Sequence, residues 1–306
     1  MKATLKRLLF RLGLARLLHR ARNRDVLTVA MFHRVLPTDD PRFAGANPTY
    51  TLSLAEFETC LDFFARFYSV VGLEDLDRKP WPSCPLLITF DDGWRDTFEF
   101  ALPALRARGF PAVLFVATDF IGDETGFWQE RVYDHLARQG AAATADARIA
   151  TLATLPEAAR TVELDGLPAP ALPRRMADVD ELAAMQRAGI AIGGHGMTHR
   201  PLTEVSDAAA ELAGCRTRLA ELGLGGTSPA FSFPHGRVTP ALVAEARAAG
   251  FGRCFTSAQH LVSRAGLDSP AGIGRLSIEL AALRHAGGFD LAALAFSLIM
   301  RPHRAG

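Results

Sequence analysis

The sequence predicts an α/β fold, a distorted or incomplete (β/α) barrel, and two observations carry that expectation. From residue 25 onward, short apolar runs of strand length alternate with amphipathic stretches of helix length, the pattern of parallel strands joined by crossover helices. Four of those runs end on residues able to bind a metal or move a proton, which is where such barrels carry their reacting groups.

In chain order, "MKATLKRLLFRLGLARLLHRARNRD" repeats leucine at Leu5, Leu8, Leu9, Leu12, Leu17 and Leu18 near a helical period, with basic residues largely on the other side. Lys6, Arg7, Arg11 and Arg16 interrupt the apolar run that a signal peptide requires, so residues 1–24 are expected to form a basic amphipathic helix. Such a helix suits a membrane surface, and it suits docking on the protein's own core equally well. "VLTVAMF" (26–32) is a strand. "SLAEFETCLDFFARF" (53–67) opens on Ser53 with Glu56 three residues on, a capping box, and continues as a helix. "PLLITF" (85–90) is the next strand, "DTFEFALPALRARG" a helix stopped by Gly109, and "AVLFVA" (112–117) a further strand.

Between about 123 and 175 the rhythm changes to a helix containing Trp128, an alanine-rich stretch and "DGLPAPALP", the composition of an insertion or loop, and a helical insertion into the barrel is expected. It then resumes with a helix ending at Gly189, a strand "IAIGG" (190–194), the long helix "DAAAELAGCRTRLAELGL" and a strand "PAFSFP" (229–234). A helix "PALVAEARAAG" and closing strands "GRCFTS" and "GRLSIE" complete a barrel over 25–280, and 281–306 are expected to be a helical extension.

A net charge of +1 gives no electrostatic bias toward nucleic acid, and no segment reaches the roughly 18 uninterrupted apolar residues of a membrane span. Cys60, Cys84, Cys215 and Cys254 stand singly, which points to reduced core cysteines. The expected location is the cytoplasm, with the N-terminal helix offering peripheral contact at the inner membrane surface.

The strand ends carry His33, Asp91-Asp92, His195 with His199, and Pro234-His235. His195 and His199 are four apart, close enough for both imidazoles to face one ion, and one carboxylate would complete a three-ligand catalytic site with a position open for water. H-x-x-x-H alone is weak; the Asp-Asp-Gly at another strand end makes the metal site the better account. Neighbouring strand residues point to opposite faces, so the vicinal acids can divide the work, one holding a metal and the other a proton.

"TFDDG" (89–93), "HGMTHRPL" (195–202) and "FSFPHG" (231–236), in that order, resemble the polysaccharide deacetylase family, also called the NodB-homology domain or carbohydrate esterase family four. "MFHRV" (31–35) is similar to a segment of its exopolysaccharide-type branch. The resemblance, over roughly 25–280, implies a distorted (β/α) barrel that uses a divalent metal, most often zinc, with cobalt, nickel or iron as alternatives, to remove N- or O-acetyl groups from sugars. It implies Asp91 as general base, Asp92, His195 and His199 as metal ligands, and a backbone N–H near His235, in the turn after Pro234, as oxyanion donor.

Gly196 stands where the family has Ser or Thr, and Ser232 and His235 where many members carry arginine and tyrosine. Arg275, in "GIGRLSIE", resembles a late arginine of relatives and would supply the missing partner of Asp91. "LRH" (283–285) matches the family's leucine-x-histidine motif on letters but sits in a helical stretch, so His33 is the candidate acid and His285 the alternative. Trp94 and Trp128 are candidates to stack on a sugar, Arg95 and Asp96 to line the cleft, and His135, His260 and His303 are assigned to the surface.

The expected function is a metal-dependent hydrolase removing N-acetyl groups from amino sugars of a cell-surface or exopolysaccharide glycan. Two alternatives remain: a deformylase or deacetylase of a lipid-linked sugar precursor, and a catalytically inactive carbohydrate-binding relative.

Overall fold

Strands Thr28–Phe32, Pro85–Phe90 and Ala112–Val116 are buried at every position, as in a parallel sheet covered outside by helices and filled inside by its own side chains. The computed structural model describes residues 3–168, 176–278, 283–285 and 288–304. Its principal sheet is wholly parallel, in the order Leu276–Ser277, Thr28–Phe32, Pro85–Phe90, Ala112–Val116, Ile190–Gly194, Ala230–Ser232 and Arg253–Phe255. Ser69–Val70 pairs beside the start of Pro85–Phe90. The sheet curls back on itself. One parallel bridge, Phe255 to Ile273, crosses the seam, with Thr256 N–H donating to Ile273 O at 2.8 Å and Ile273 N–H to Cys254 O at 2.8 Å.

Alternation along the strands sorts residues into two cores. Phe32, Ile88, Phe90, Leu114 and Val116 face the helices, whereas Val29, Leu87, Val113, Phe115, Ala230 and Ile273 fill the barrel. Counting on by twos from the interior set reaches His33, Asp91, Ser232 and Arg275, so an apolar interior ends at its C-terminal rim in a polar layer.

Helix Leu54–Phe67 carries the expected capping box: the Ser53 hydroxyl accepts from Glu56 N–H, and the Glu56 carboxylate accepts from Ser53 N–H. Asp178 forms the same box with Glu181 at the start of Val179–Arg187, whereas Asp207 and Thr239 cap Ala208–Glu221 and Pro240–Ala248 by accepting one backbone N–H each. The helix expected after Pro85–Phe90 instead opens as a π-turn, Thr97–Ala101, before Leu102–Arg106. Pro103 has no N–H to close the ordinary four-residue bond to Glu99, and the turn widens there.

Other expectations are corrected. The single helix expected over residues 1–24 is, over the described residues, two helices, Ala3–Arg11 and Leu14–Asn23, because Gly13 takes φ 74° between them. The insertion, by contrast, is helical as expected, with Trp128–Arg138, Ala145–Ala153 and Glu157–Asp165 packed around Val132, Leu152 and Leu164; much of "DGLPAPALP" lies outside the described residues. Arg284–His285 pairs antiparallel with Gly288–Phe289 and is not helical, and the His285 side chain lies outside the described residues. The last helix is Leu291–Ile299, capped by Asp290. All four cysteines are buried and unpaired, and among the described residues no helix is long and apolar enough to cross a membrane.

Ser53→Ala removes the cap oxygen but leaves the Glu56 contacts to Arg284. Urea denaturation is expected to show a loss of about 1 kcal/mol as a lowered midpoint with an unchanged slope.

Candidate active site

Asp91 directly follows the strand Pro85–Phe90, and it is 3% exposed. Arg275, 1% exposed just before the edge strand Leu276–Ser277, donates from Nη1 to Asp91 Oδ1 at 2.6 Å and from Nη2 to Asp91 Oδ2 at 2.7 Å. The same guanidinium reaches Ser232 Oγ at 2.8 Å and Thr256 O at 3.2 Å, and lies 5.5 Å over the Phe115 ring. Burial pushes the Asp91 carboxyl up, but the Arg275 charge outweighs it, with help from His195, and holds Asp91 below its ordinary value. Ser232 is small, which leaves room for a guanidinium arriving from the opposite strand.

Asp92 leaves the strand at φ 82°, followed by Gly93 at φ 89°, and its carboxylate swings toward the next strand ends. Its Oδ1 stands 3.2 Å from His199 Nε2 and 3.5 Å from His195 Nε2. One ligand atom from each of the three residues lies within 4.8 Å of the others. Burial raises the Asp92 carboxyl, and the hydrogen bonds to both imidazoles bring it well below its ordinary value. Among the described residues, three of the four non-glycine residues with positive φ, Asp92, His199 (58°) and His235 (56°), sit here, the local strain that functional sites carry.

Each group is braced from behind. His195 Nδ1 bonds Ser232 O at 2.8 Å, and the His199 ring stacks on Phe127 at 3.9 Å. Trp94 Nε1–H donates to Asp92 Oδ2 at 3.0 Å. One Trp94 face is covered by the Arg34 guanidinium at 4.3 Å and its edge by Phe127, so the ring, 1% exposed, has no face for a sugar. Arg34 is itself held by Asp96 at 2.8 Å and by Glu130 of the insertion at 3.0 Å. The hydroxyl missing at Gly196 is replaced by Glu211, whose Oε1 accepts from Met197 N–H, Thr198 N–H and the Thr198 hydroxyl.

The strand ends open into a cavity of about 530 Å3. His33, Asp91, Asp92, His195, His199, His235 and Arg275 line it together, and Trp128, Asp146, Ile149 and Ala153 of the insertion roof it. Pro234 is buried and does not line the wall. His33 packs edge-on against Tyr50 at 5.1 Å. His235, exposed at the cavity rim, has its Nε2 3.1 Å from His199 O. Arg95 turns to Glu181 and Asp96 is buried under Arg34, so neither lines the cleft. His260, assigned to the surface, is buried at 9% exposure beside Gly274. His135 is half-buried and His303 exposed. Asn47, Tyr50, Asp146 and Glu211 had no sequence signal, because nothing in their local pattern marks the turn that brings them in.

Arg275→Met leaves the Asp91 charge buried without its partner, and the apoprotein is expected to lose about 3–5 kcal/mol at pH 7. In the parent, Asp91 sits below 3.8, so its contribution is present above that pH and fades as pH falls through the folded value. In the variant, burial alone raises Asp91, which protonates earlier as pH falls. Urea titrations from pH 7 to 4 should therefore show the stability gap narrowing.

A family model described as polysaccharide deacetylase matches residues 79–253. Bacillus subtilis (strain 168) YxkH, named for the same family, is 36% identical over 64 residues, 21% of this chain and 22% of that one, so the match spans about a fifth of that relative's length. Among solved structures, Streptococcus pyogenes deacetylase PplD in complex with acetate gives a TM-score of 0.57 at 17% identity, over 85% of this chain and 95% of that one. IcaB from Ammonifex degensii gives 0.59 at 21% identity, over 89% and 97%. The two structures share the incomplete (β/α) barrel. Since the family match takes in more than half of the chain, including Asp91, Asp92, His195, His199 and Pro234-His235, this chain belongs to the polysaccharide deacetylase family, whose members are hydrolases.

Proposed function

We propose that the protein is a metal-dependent hydrolase that removes N-acetyl groups from amino sugars of a cell-surface or exopolysaccharide glycan. The observation that carries this reading is the convergence of Asp92, His195 and His199 on one point beside the Arg275-held Asp91, at the floor of the cavity.

The residues fit a divalent metal. With Nδ1 of His195 engaged by a backbone carbonyl, Nε2 offers its lone pair to the cluster, the arrangement usual for a ligating histidine. Two imidazoles and one carboxylate suit zinc, and three protein donors leave a coordination position open. A bound metal supplies Lewis acidity and lowers the pKa of water at that position.

Asp91 accepts the proton of the attacking water, and Arg275 keeps its carboxylate ionised and fixed in rotation. His33, on the same wall of the cavity, delivers a proton to the leaving nitrogen. The backbone N–H of His235 faces the developing oxyanion. Trp128 and Tyr50 offer the aromatic surface against which a sugar ring packs. A second reading keeps this chemistry and moves it to a lipid-linked sugar precursor; the leucines exposed along residues 5–18 favour it.

Purified protein is expected to release acetate from N-acetylglucosamine oligomers, to lose that activity with a chelator and to regain it with zinc. Asp91→Asn and His33→Gln are each expected to lower kcat by about 10²–10⁴ while zinc stoichiometry stays at one per chain. Undiminished acetate release by Asp91→Asn would remove the base assignment; no bound ion after reconstitution would sink the metal site.

A further inference from the structure

The two N-terminal helices use one face and leave another bare. Phe10 stacks on Phe67 at 5.7 Å, the His19 ring meets Tyr68 at 4.4 Å, and Asn23 Nδ2 donates to Ile299 O at 3.0 Å. Ala15, His19 and Asn23, spaced four apart, are the buried residues of the second helix. The segment is therefore docked on its own protein already. That docking does not absorb its leucines: of the nine large hydrophobic residues exposed among the described residues, six are Leu5, Leu8, Leu12, Leu14, Leu17 and Leu18. Leu12 and Leu17 are each 64% exposed.

Exposed leucines scattered singly need no explanation, but six within fourteen residues of one helical pair do. Leu5, Leu8 and Leu12 fall at i, i+3, i+7 along the first helix and the turn that follows it, and Leu14, Leu17 and Leu18 at i, i+3, i+4 in the second helix, so the leucines form a stripe along each. Charge says what the stripe fits. Residues 1–24 hold eight of the chain's 34 Lys and Arg and none of its 33 Asp and Glu. Arg11, Arg16, Arg20 and Arg24 are exposed and make no ion pair with a described residue. A leucine stripe bordered by uncompensated arginines is complementary to acyl chains beneath anionic headgroups.

We propose that this bare face is a docking surface for an anionic lipid bilayer, on which the protein lies with its barrel held clear by the Leu291–Ile299 helix and the Leu54–Phe67 helix. Binding uses neither the metal residues nor the cavity, so it stands or falls apart from the hydrolase reading.

Full-length protein mixed with vesicles of phosphatidylcholine and phosphatidylglycerol is expected to co-sediment, to bind vesicles of phosphatidylcholine alone far more weakly, and to be released by salt. Leu12→Asp with Leu17→Asp is expected to weaken binding at least about tenfold, as is Arg16→Glu with Arg20→Glu. All four positions are exposed, so circular dichroism and zinc content should match the parent; should the aspartates perturb folding, Leu12→Ser with Leu17→Ser asks the same question. Absence of binding, or binding equal in the leucine variants, overturns the proposal. So does a concentration-dependent dimer that the leucine variants abolish without vesicle binding, because the stripe would then be an interface between copies.

Discussion

Arg275 and Asp91 meet inside the barrel at 2.6 and 2.7 Å with almost no exposure. Neither charge is tolerable there alone, since a lone buried ion costs several kcal/mol, so each strand that carries one is bound to the other. The two strands are not neighbours in the sheet: Thr28–Phe32 lies between them. Arg275 therefore ties the closing edge of the barrel to its centre through the interior. The backbone seam beside it is one bridge wide. Closure of the rim and orientation of the Asp91 carboxylate are one structural event.

A second buried cation does the corresponding work for Asp92. Arg34 takes Asp96 and Glu130 on its donors and lays its flat face on Trp94, whose N–H fixes Asp92 Oδ2. Because Glu130 belongs to the helical insertion, the roof of the cavity and the position of the Asp92 carboxylate are joined through four side chains. A buried arginine accepts this role where a lysine would not, since its planar fork can serve two carboxylates and stack at once.

The strand frame and the cluster at Asp91, Asp92, His195 and His199 were legible because alternation, capping and strand ends are local signals. Ser53 with Glu56 and the glycine stops at Gly109 and Gly189 likewise act within a few residues. What escaped depends on residues far apart in sequence. Gly13 breaks a leucine pattern that looks continuous, and Trp94, plausible as a sugar platform by type, is sealed by Arg34 and Phe127 from two other segments. Glu211, inside a long helix, gives no sign that it braces the turn around Gly196.

Ser232 and Arg275 form a matched pair whose parts come from different strands. By the resemblance, many relatives carry an arginine where Ser232 stands, on the segment that also holds Pro234 and His235; here the guanidinium comes from Arg275, at the head of a different strand, and donates to the Ser232 hydroxyl at 2.8 Å. The two segments are thus not interchangeable modules. A chimera receiving the 231–236 turn from a relative with arginine there would crowd two guanidiniums onto one carboxylate, whereas one receiving only the closing strand of such a relative would leave Asp91 with none. Loop grafting to alter substrate preference in this chain has to move both segments together.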